Sequence, residues 1–518
     1  MRTNVGVVSP YIRTVRTASG ARAVQIVHST RKGSRDIEHI GSAHTEADLE
    51  LLKAVARQRM AGGQGELDLG IDGAPGPGPG GPVAPAGVLP ITSSRMGHLI
   101  GALNRAYDVL GFDVATGGDR AFRDLVLARI IEPTSKLDSL RVLDEAGIET
   151  VTYRTLQRRL PRYAADQWRG HLSAACARHA RVAPATLLLY DVTTLYFEID
   201  EGDGFREPGF SKERRLEPQI TVGLLTTADG FPLRVDAFEG NKAETKTMLP
   251  VITAFQEAYH VTDVTVVADA GMFSDANQCA IEDAGLWFIL GMRIPEVPYV
   301  IKAWHQANPA AEIPDGHVFT QPWPAGPTDK RRDQTIYYQY SHDRARRTLR
   351  GIDKQVAKAE KAVAGDMPVK RNRFVKITGG ARSVNRALET KARVLAGIKG
   401  YVTNLPNPDP DTVIGAYHRL FQIEKSFRMS KHDLRARPIY HHTRESIDAH
   451  LNVVFAAMAV GCWIEMVTTW SIKKFVRTAR RYRTIEIQAR EHTFTAAEPL
   501  PDDLSEALRA IHENRKAH

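Results

Sequence analysis

Two uninterrupted apolar runs, each closed by an aspartate, constrain this chain more than any other feature: "LLLYD" ending at Asp191 and "TVVAD" ending at Asp269. A strand with no polar position has no face to give to water, so it needs cover on both sides, as strands at the centre of an α/β sheet have. The neighbouring pattern agrees. "ATLLLYDVTTLYFEI", "EPQITVGLLTT" and "FPLRVDAFEG", the last two joined by the turn "ADG", read as an antiparallel meander. "TKTMLPVITAFQEAYH" reads as a helix, "VTDVTVVADAG" as a buried strand, "SDANQCAIEDAG" as a capped helix and "LWFILGMRI" as a further strand. Residues 183–291 therefore predict a β-β-β-α-β-α-β core.

The rest of the chain is arranged around that core. Residues 1–60 predict a hairpin over "YIRTVRTASGARAVQIVH", turning at "SG", and the short amphipathic helix "EADLELLKAVARQRM". Residues 61–90 are rich in Gly, Pro and Ala with too few bulky apolar residues to bury, the composition of a flexible linker. Residues 91–182 predict a helical, DNA-binding domain, in which a helix carrying Arg154, Arg158 and Arg159 follows another through Gly147. A helix-turn-helix and an ordinary bundle with a solvated basic face account for that pattern equally well. Residues 292–396 interrupt the core with "QTIYYQY" and a long basic helix, and predict an inserted domain. "GIKGYVTNL" resumes a buried strand within 397–470, and 471–518 predicts a basic tail with Lys473, Lys474, Arg477, Arg480, Arg481 and Arg483 close together.

Composition excludes more than it selects. The chain is 518 residues, 43% hydrophobic and 25% charged, as in ordinary globular proteins, and a net charge of +9 raises the odds of a polyanionic partner only modestly. Cys176, Cys279 and Cys462 form no CxxC pair and fit a reducing cytoplasm. The N-terminus lacks the apolar core of a signal peptide. The most apolar stretch, 453–467, is too short to span a bilayer and contains Glu465, so no membrane partner is expected.

Chemistry concentrates on three acids. Asp191 and Asp269 stand where buried strands give way to solvent, a recurrent active-site position, although either taken singly could merely cap a turn. The third, Glu424, lies in "YHRLFQIEKSFRMSK". Tyr417, Leu420, Arg428 and Lys431 are offset from it by fours and sevens, which places all five on one face of a continuous helix. Three carboxylates without histidine or cysteine suit a hard divalent ion, Mg²⁺ best. Two such ions can drive an in-line displacement at phosphorus. Arg428 and Lys431 would then neutralise phosphates, and Tyr417 would stack on a base or bond a phosphate. Other polar groups carry blander expectations. His441, His442 and His450 read as structural, Thr193 and Thr194 as strand residues, Asn241 as a turn residue and Asp275 as a first-turn helix residue. Ser211, Lys212, Arg214 and Arg215 read equally as a DNA-backbone loop or a solvated one.

With these residues in place the chain resembles the DDE transposases of bacterial insertion sequences and their ribonuclease H-like catalytic core. One large group of that family carries Tyr-x2-Arg-x3-Glu-x6-Lys, matched here by Tyr417, Glu424 and Lys431, with Leu420 where the arginine belongs. Arg419 and Arg428 are the nearest cations. The stretches "GFSKERRLEPQITVGLL", "DGFPL", "FEGNKAETKT", "VVADAGMFS", "YIRTVRTASGARAVQIVHS" and "IEHIGSAHTEADLELL" also resemble the family. The resemblance implies a cytoplasmic bacterial enzyme with Asp191, Asp269 and Glu424 as catalytic metal ligands. It implies two Mg²⁺ ions, replaceable by Mn²⁺, and DNA contacts from Tyr417, Arg419, Arg428 and Lys431. It further implies a homodimer on double-stranded DNA that cleaves terminal inverted repeats and transfers the 3′ ends into target DNA. A non-catalytic DNA-binding repressor and a hydrolytic nuclease of the same fold are the alternatives. A glycosidase is remote, because it leaves the cations around Glu424 unexplained.

Overall fold

The computed structural model describes residues 11–17, 20–29, 35–60, 90–209, 217–272, 274–309, 311–329, 331–366, 372–378, 381–437, 439, 441, 443–489 and 492–513. The expected linker apart from Pro90, the loop residues Ser211, Lys212, Arg214 and Arg215, and His442 lie outside the described residues. The chain divides into two compact units. One comprises the residues up to Arg95 together with Tyr482–Pro499, and the other comprises Met96–Arg481 and the chain from Leu500 onward.

In the first unit, strands Tyr11–Arg16, Arg22–Ser29 and Arg35–Ala43 form an antiparallel sheet, covered by the helix Glu46–Met60. Gly20, at φ +81°, supplies the left-handed residue in the expected hairpin turn. A second sheet joins Ile91–Arg95 to Thr484–Ala489 and His492–Ala497. Phe494 from that sheet enters the core of Val24, Ile26, Ile40, Leu49 and Leu52. Residues 471–518 are therefore not a tail. Their first helix, Ile472–Ala479, buries Ile472, Phe475, Val476 and Ala479 and leaves Lys473, Lys474 and Arg477 exposed. Arg483, at the end of the basic run, donates two 2.7 Å hydrogen bonds to Ser94, one to its hydroxyl and one to its carbonyl. The density of arginines conceals an amphipathic helix and an alternating strand.

The second unit opens with helices that include α1 (Arg120–Ile131) and α2 (Tyr153–Ala164). Asp119 ties them together. Its carboxylate caps α1 by accepting from the Phe122 amide, and it also accepts from Arg159 and from the Tyr163 hydroxyl, each at 2.9 Å. Of the three arginines expected on a DNA-facing helix, Arg154 and Arg158 are exposed, whereas Arg159 is committed to this buried acid.

The core is mixed α/β, built on one large mixed sheet. Its strands are β1 (Leu187–Tyr196), β2 (Gln219–Thr227), β3 (Pro232–Glu239), β4 (Thr265–Ala268), β5 (Trp287–Met292), β6 (Val318–Trp323), β7 (Gln334–Tyr340) and β8 (Ile398–Thr403). They lie in the order β6-β7-β8-β5-β4-β1-β2-β3. The pairs β1–β4 and β4–β5 are parallel and the remaining pairs antiparallel. Every residue of β4 is buried, as its apolar run requires. Helices α3 (Met248–Tyr259) and α4 (Asp275–Asp283, capped by the Ser274 hydroxyl) connect β3 to β4 and β4 to β5.

The stretch expected as an inserted domain is only partly separate. The helix His342–Ala364 and the hairpin strands Val375–Thr378 and Ala381–Val384 enclose a small core around Ile352, Val356 and Phe374. Strands β6 and β7, however, extend the main sheet through β8. After β8 come α5 (Pro410–His418), α6 (Leu420–Arg428) and α7 (Arg444–Thr468). Helix α7 has 25 residues, longer than the apolar stretch suggests, and by length and composition could cross a bilayer. In this fold 72% of its most apolar window is buried, with α1 and α2 packed against it, so it is the central helix of the unit.

Candidate active site

Sheet register brings the first two acids together. β1 pairs with β4 through Leu187–Thr265, Leu188–Val266 and Leu189–Val267. Two residues further on in each chain stand Asp191 and Asp269, at the lip where β4 ends and β1 continues along β2. Adjacent strands lie about 4.8 Å apart and side chains repeat every second residue, so the two carboxylates emerge side by side on one face. Asp191 is half-buried and accepts from the Val192 amide at 2.8 Å, while Asp269 is exposed. Asp191 thus lies within a strand rather than at its end, and it is the neighbouring strand that stops.

Tyr417 lies underneath them. It is 4% exposed, and its hydroxyl donates to Asp269 Oδ1 at 2.5 Å. Its ring packs edge-on against Tyr401 of β8, with the Lys399 ammonium 4.2 Å from its centroid. Gly291 of β5 makes this approach possible, because a Cβ there would come within 2.5 Å of the Tyr417 hydroxyl and 2.9 Å of the Ala270 nitrogen. The expectation that Tyr417 stacks on a base or bonds a phosphate is therefore corrected. Its ring is enclosed by β5 and β8, and its one polar atom is taken by Asp269.

Glu424 is an exposed residue of α6. That helix is anchored where the turn between β2 and β3 touches it. The Ser426 hydroxyl donates to the Gly230 carbonyl at 2.8 Å, and Gln422 fills the space beside Gly230. Arg419 interrupts the expected single helix, and a π-turn, Met429–Asp433, follows α6. A shared face for Tyr417, Leu420, Glu424, Arg428 and Lys431 does not survive these two irregularities. Tyr417 and Leu420 are buried, Glu424 and Arg428 are exposed, and Lys431 is half-buried within the wider turn. Of the cations considered for the missing signature arginine, Arg419 lies 4.0 Å from the exposed Asp229.

Electrostatics connect all three acids. Burial raises the Tyr417 hydroxyl far above its ordinary range, reinforced by the bond to Asp269, by the Asp269 charge and, more weakly, by Asp191. Burial lowers the Lys399 ammonium, Asp269 opposes that shift, Arg344 adds to it and Glu424 opposes it. Tyr190 is raised by burial and by the charges of Asp236, Asp191 and Glu244. Glu244 stands close by, with its Oε2 2.7 Å from where a Cβ on Gly271 would fall. Among the described residues, no three His, Cys, Asp or Glu side chains are drawn together tightly enough to grip an ion as they stand. Carboxylates without a cation between them repel one another, and the Lys399 ammonium, 4.2 Å from the centroid of the Tyr417 ring, is a cation on which both Asp269 and Glu424 act. The donor set, oxygens only, fits a hard divalent ion.

Sequence reasoning missed Lys399, Gly291 and Glu244. The alternation of "IKGY" puts Lys399 on a sheet face but does not say which one. The remaining expectations are placed simply: Thr193 and Thr194 lie within β1, Asn241 lies in a turn, and Asp275 opens α4.

The Transposase DDE domain family matches residues 183–460, more than half of the chain. The chain belongs to the DDE transposase family. The matched residues of this transposase domain run from just before β1 into α7 and take in Asp191, Asp269 and Glu424. No curated protein matches the chain. Among solved structures, a piggyBac transposase synaptic complex with hairpin DNA is similar at 11% identity and a TM-score of 0.36, over 73% of this chain and 70% of that one. A likeness that loose does not bear on the function.

Proposed function

We propose that the chain is a transposase that cleaves DNA at the ends of an insertion sequence and transfers the freed 3′ ends into target DNA. Asp191, Asp269 and Glu424 are its catalytic and metal-binding acids. The observation that carries this reading is the register of β1 with β4, which sets Asp191 beside Asp269 at the open lip of a buried parallel pair. The strand order β3-β2-β1-β4-β5, with only β1, β4 and β5 mutually parallel, supports a ribonuclease H-like core. Mg²⁺, or Mn²⁺ in its place, would supply the activation of the attacking oxygen and the stabilisation of the leaving one.

The chain's own residues do the rest. Tyr417 holds Asp269 from beneath, Lys399 balances the acids, and Ser426 fixes the helix that presents Glu424. Arg428, exposed one turn beyond Glu424, and Lys431 bind backbone phosphates of double-stranded DNA, with Arg419 at the rim. Synapsis of two element ends makes a homodimer the working form, in the bacterial cytoplasm.

The test is excision and end binding by Asp191→Ala, Asp269→Ala and Glu424→Ala. Each abolishes Mg²⁺-dependent excision and retains end binding. Undiminished excision by any of the three overturns the assignment. Pre-cut ends supplied to the wild type give joined products, and their absence beside normal cleavage would reduce the protein to a nuclease.

A further inference from the structure

The long helix His342–Ala364 carries a surface that the three acids leave unexplained. Its buried residues are Ala345, Ile352, Val356, Ala359 and Ala362, and its other side holds Arg350, Lys354, Lys358 and Lys361, all exposed. At about 100° per residue these four cations fall within an arc of about 80°. The acids of the helix do not interleave with them. Asp353 pairs with Arg393 at 2.8 Å and Glu360 with Arg386 at 2.6 Å, both on the neighbouring helix Arg386–Val394. Asp343, at the start of the helix, pairs with Arg346.

A face that only meets water usually mixes both signs, because opposite charges three or four residues apart support a helix and like charges so spaced weaken it. Here Arg350, Lys354 and Lys358 follow one another at intervals of four, and Lys361 comes three later. The helix keeps that repulsion within itself, and a polyanion lying along the arc would relieve it.

The helix is also fixed at its root to the strand of Lys399. The Ser341 amide and Arg344 Nη1 donate to the Gly397 carbonyl at 3.0 and 3.2 Å, and a Cβ on Gly397 would lie 2.7 Å from that of Ala345. Thr348 and Ile352 line a cavity of about 440 Å³ together with Ile398 and Lys399. The arc of cations starts at the same level, at Arg350. From there to Lys361 it rises about 16 Å, and one strand of duplex DNA carries a phosphate about every 3.4 Å of axis, so the arc matches about five phosphates.

We propose that Arg350, Lys354, Lys358 and Lys361 form a rail that holds duplex DNA beside the cleavage point by the phosphates of one strand, without regard to sequence. Cationic side chains on phosphates set the position of a duplex and carry no base information. The only amide side chain between them, Gln355, falls outside the arc. The choice of DNA as the polyanion rests on the proposed function, whereas the rail rests on the helix.

The experiment uses the full chain with Arg350→Gln, Lys354→Gln, Lys358→Gln and Lys361→Gln combined. A control combines Arg57→Gln, Arg178→Gln, Lys302→Gln and Arg509→Gln, which remove the same charge from exposed positions on other helices. Binding of an end-sequence duplex, a scrambled duplex and a single-stranded RNA is measured across a salt series. At physiological salt the rail variant binds both duplexes roughly a hundredfold more weakly than the wild type, by the same factor, and its salt slope falls by about three to four. Its urea unfolding shows no loss of stability, since like charges have been removed. Unchanged duplex binding, or a loss no larger than that of the control, overturns the rail. A loss confined to the end-sequence duplex overturns its indifference to sequence, and a larger loss on RNA than on the duplexes overturns DNA as the occupant. Asp191→Ala binds both duplexes as the wild type does, so a failed excision test leaves the rail standing, and an unchanged rail variant leaves the acids standing.

Discussion

Tyr417 Oη donates a 2.5 Å hydrogen bond to Asp269 Oδ1, joining the helix ahead of Glu424 to the loop that ends the second buried strand. This contact turns a residue of the family signature inward, toward an acid instead of toward DNA. Replacing Tyr417 by phenylalanine keeps the ring against Tyr401 and removes only the donor. We expect a stability loss of about 1 kcal/mol, read by urea unfolding. End cleavage in Mg²⁺ should fall about tenfold, the usual cost of losing a group that orients a metal ligand. Cleavage at the wild-type rate would exclude the positioning role.

The Lys399 ammonium lies 4.2 Å from the centroid of the Tyr417 ring and feels the charges of Asp269 and Glu424, so a divalent ion held by those acids would meet its repulsion. Lys399→Met removes that resident charge and preserves an apolar stem against Tyr417. Calorimetric titration with Mn²⁺ should show binding about tenfold tighter than in the wild type. Equal affinity would mean that the lysine does not balance the acids.

Asp119 serves two helices at once, capping α1 and accepting from Arg159 and Tyr163 of α2. Asp119→Ala therefore removes a cap and strands a buried hydroxyl, a loss of about 2–4 kcal/mol. Arg158→Ala, on the exposed side of α2, should stay within about 0.5 kcal/mol. Urea unfolding of the pair distinguishes a helix held by its buried acid from one held only by α7.

Lys136 gives a pH dependence of defined sign. Its folded value, about 8, lies below the ordinary value of 10.5, so above 8 the unfolded chain holds a proton that the folded chain has released. Stability must then rise with pH between about 8 and 10.5, and the penalty is present in full below that window. Lys136→Met, with no proton to lose, lacks this rise. Subtracting its unfolding free energy from that of the wild type at about pH 7 and about pH 10 isolates the contribution. A pH-independent difference would show that the ammonium is not desolvated.

The central strands were legible because burial on both faces leaves an unmistakable pattern. "TVVA" admits no amphipathic reading, and Ser274 announces the helix it caps. Edges and contacts were harder. "QTIYYQY" reads as a strand, but nothing in it says that it pairs with β8 and so lengthens the sheet. "TIEIQ" alternates, yet the arginines before it overwhelm the signal. Around the acids, helical spacing put Tyr417 with Glu424 but could not register the break at Arg419, which has neither glycine nor proline to mark it. Lys399 was invisible for a different reason. A lone lysine in a strand ordinarily points to water, and only the packing of α5 over β8 turns it toward Asp269.

The continuation of the sheet through β8 into β7 and β6 limits how the protein can be remodelled. Cutting out the segment between β5 and β8, as one would shorten a surface loop, strips β8 of one neighbour and bares a row of backbone donors and acceptors. The strand so exposed is the one that carries Lys399 and Tyr401. Smaller versions and chimeras of this protein will have to exchange β6, β7 and β8 together, since these strands belong to the same sheet as the strands that carry Asp191 and lead into Asp269.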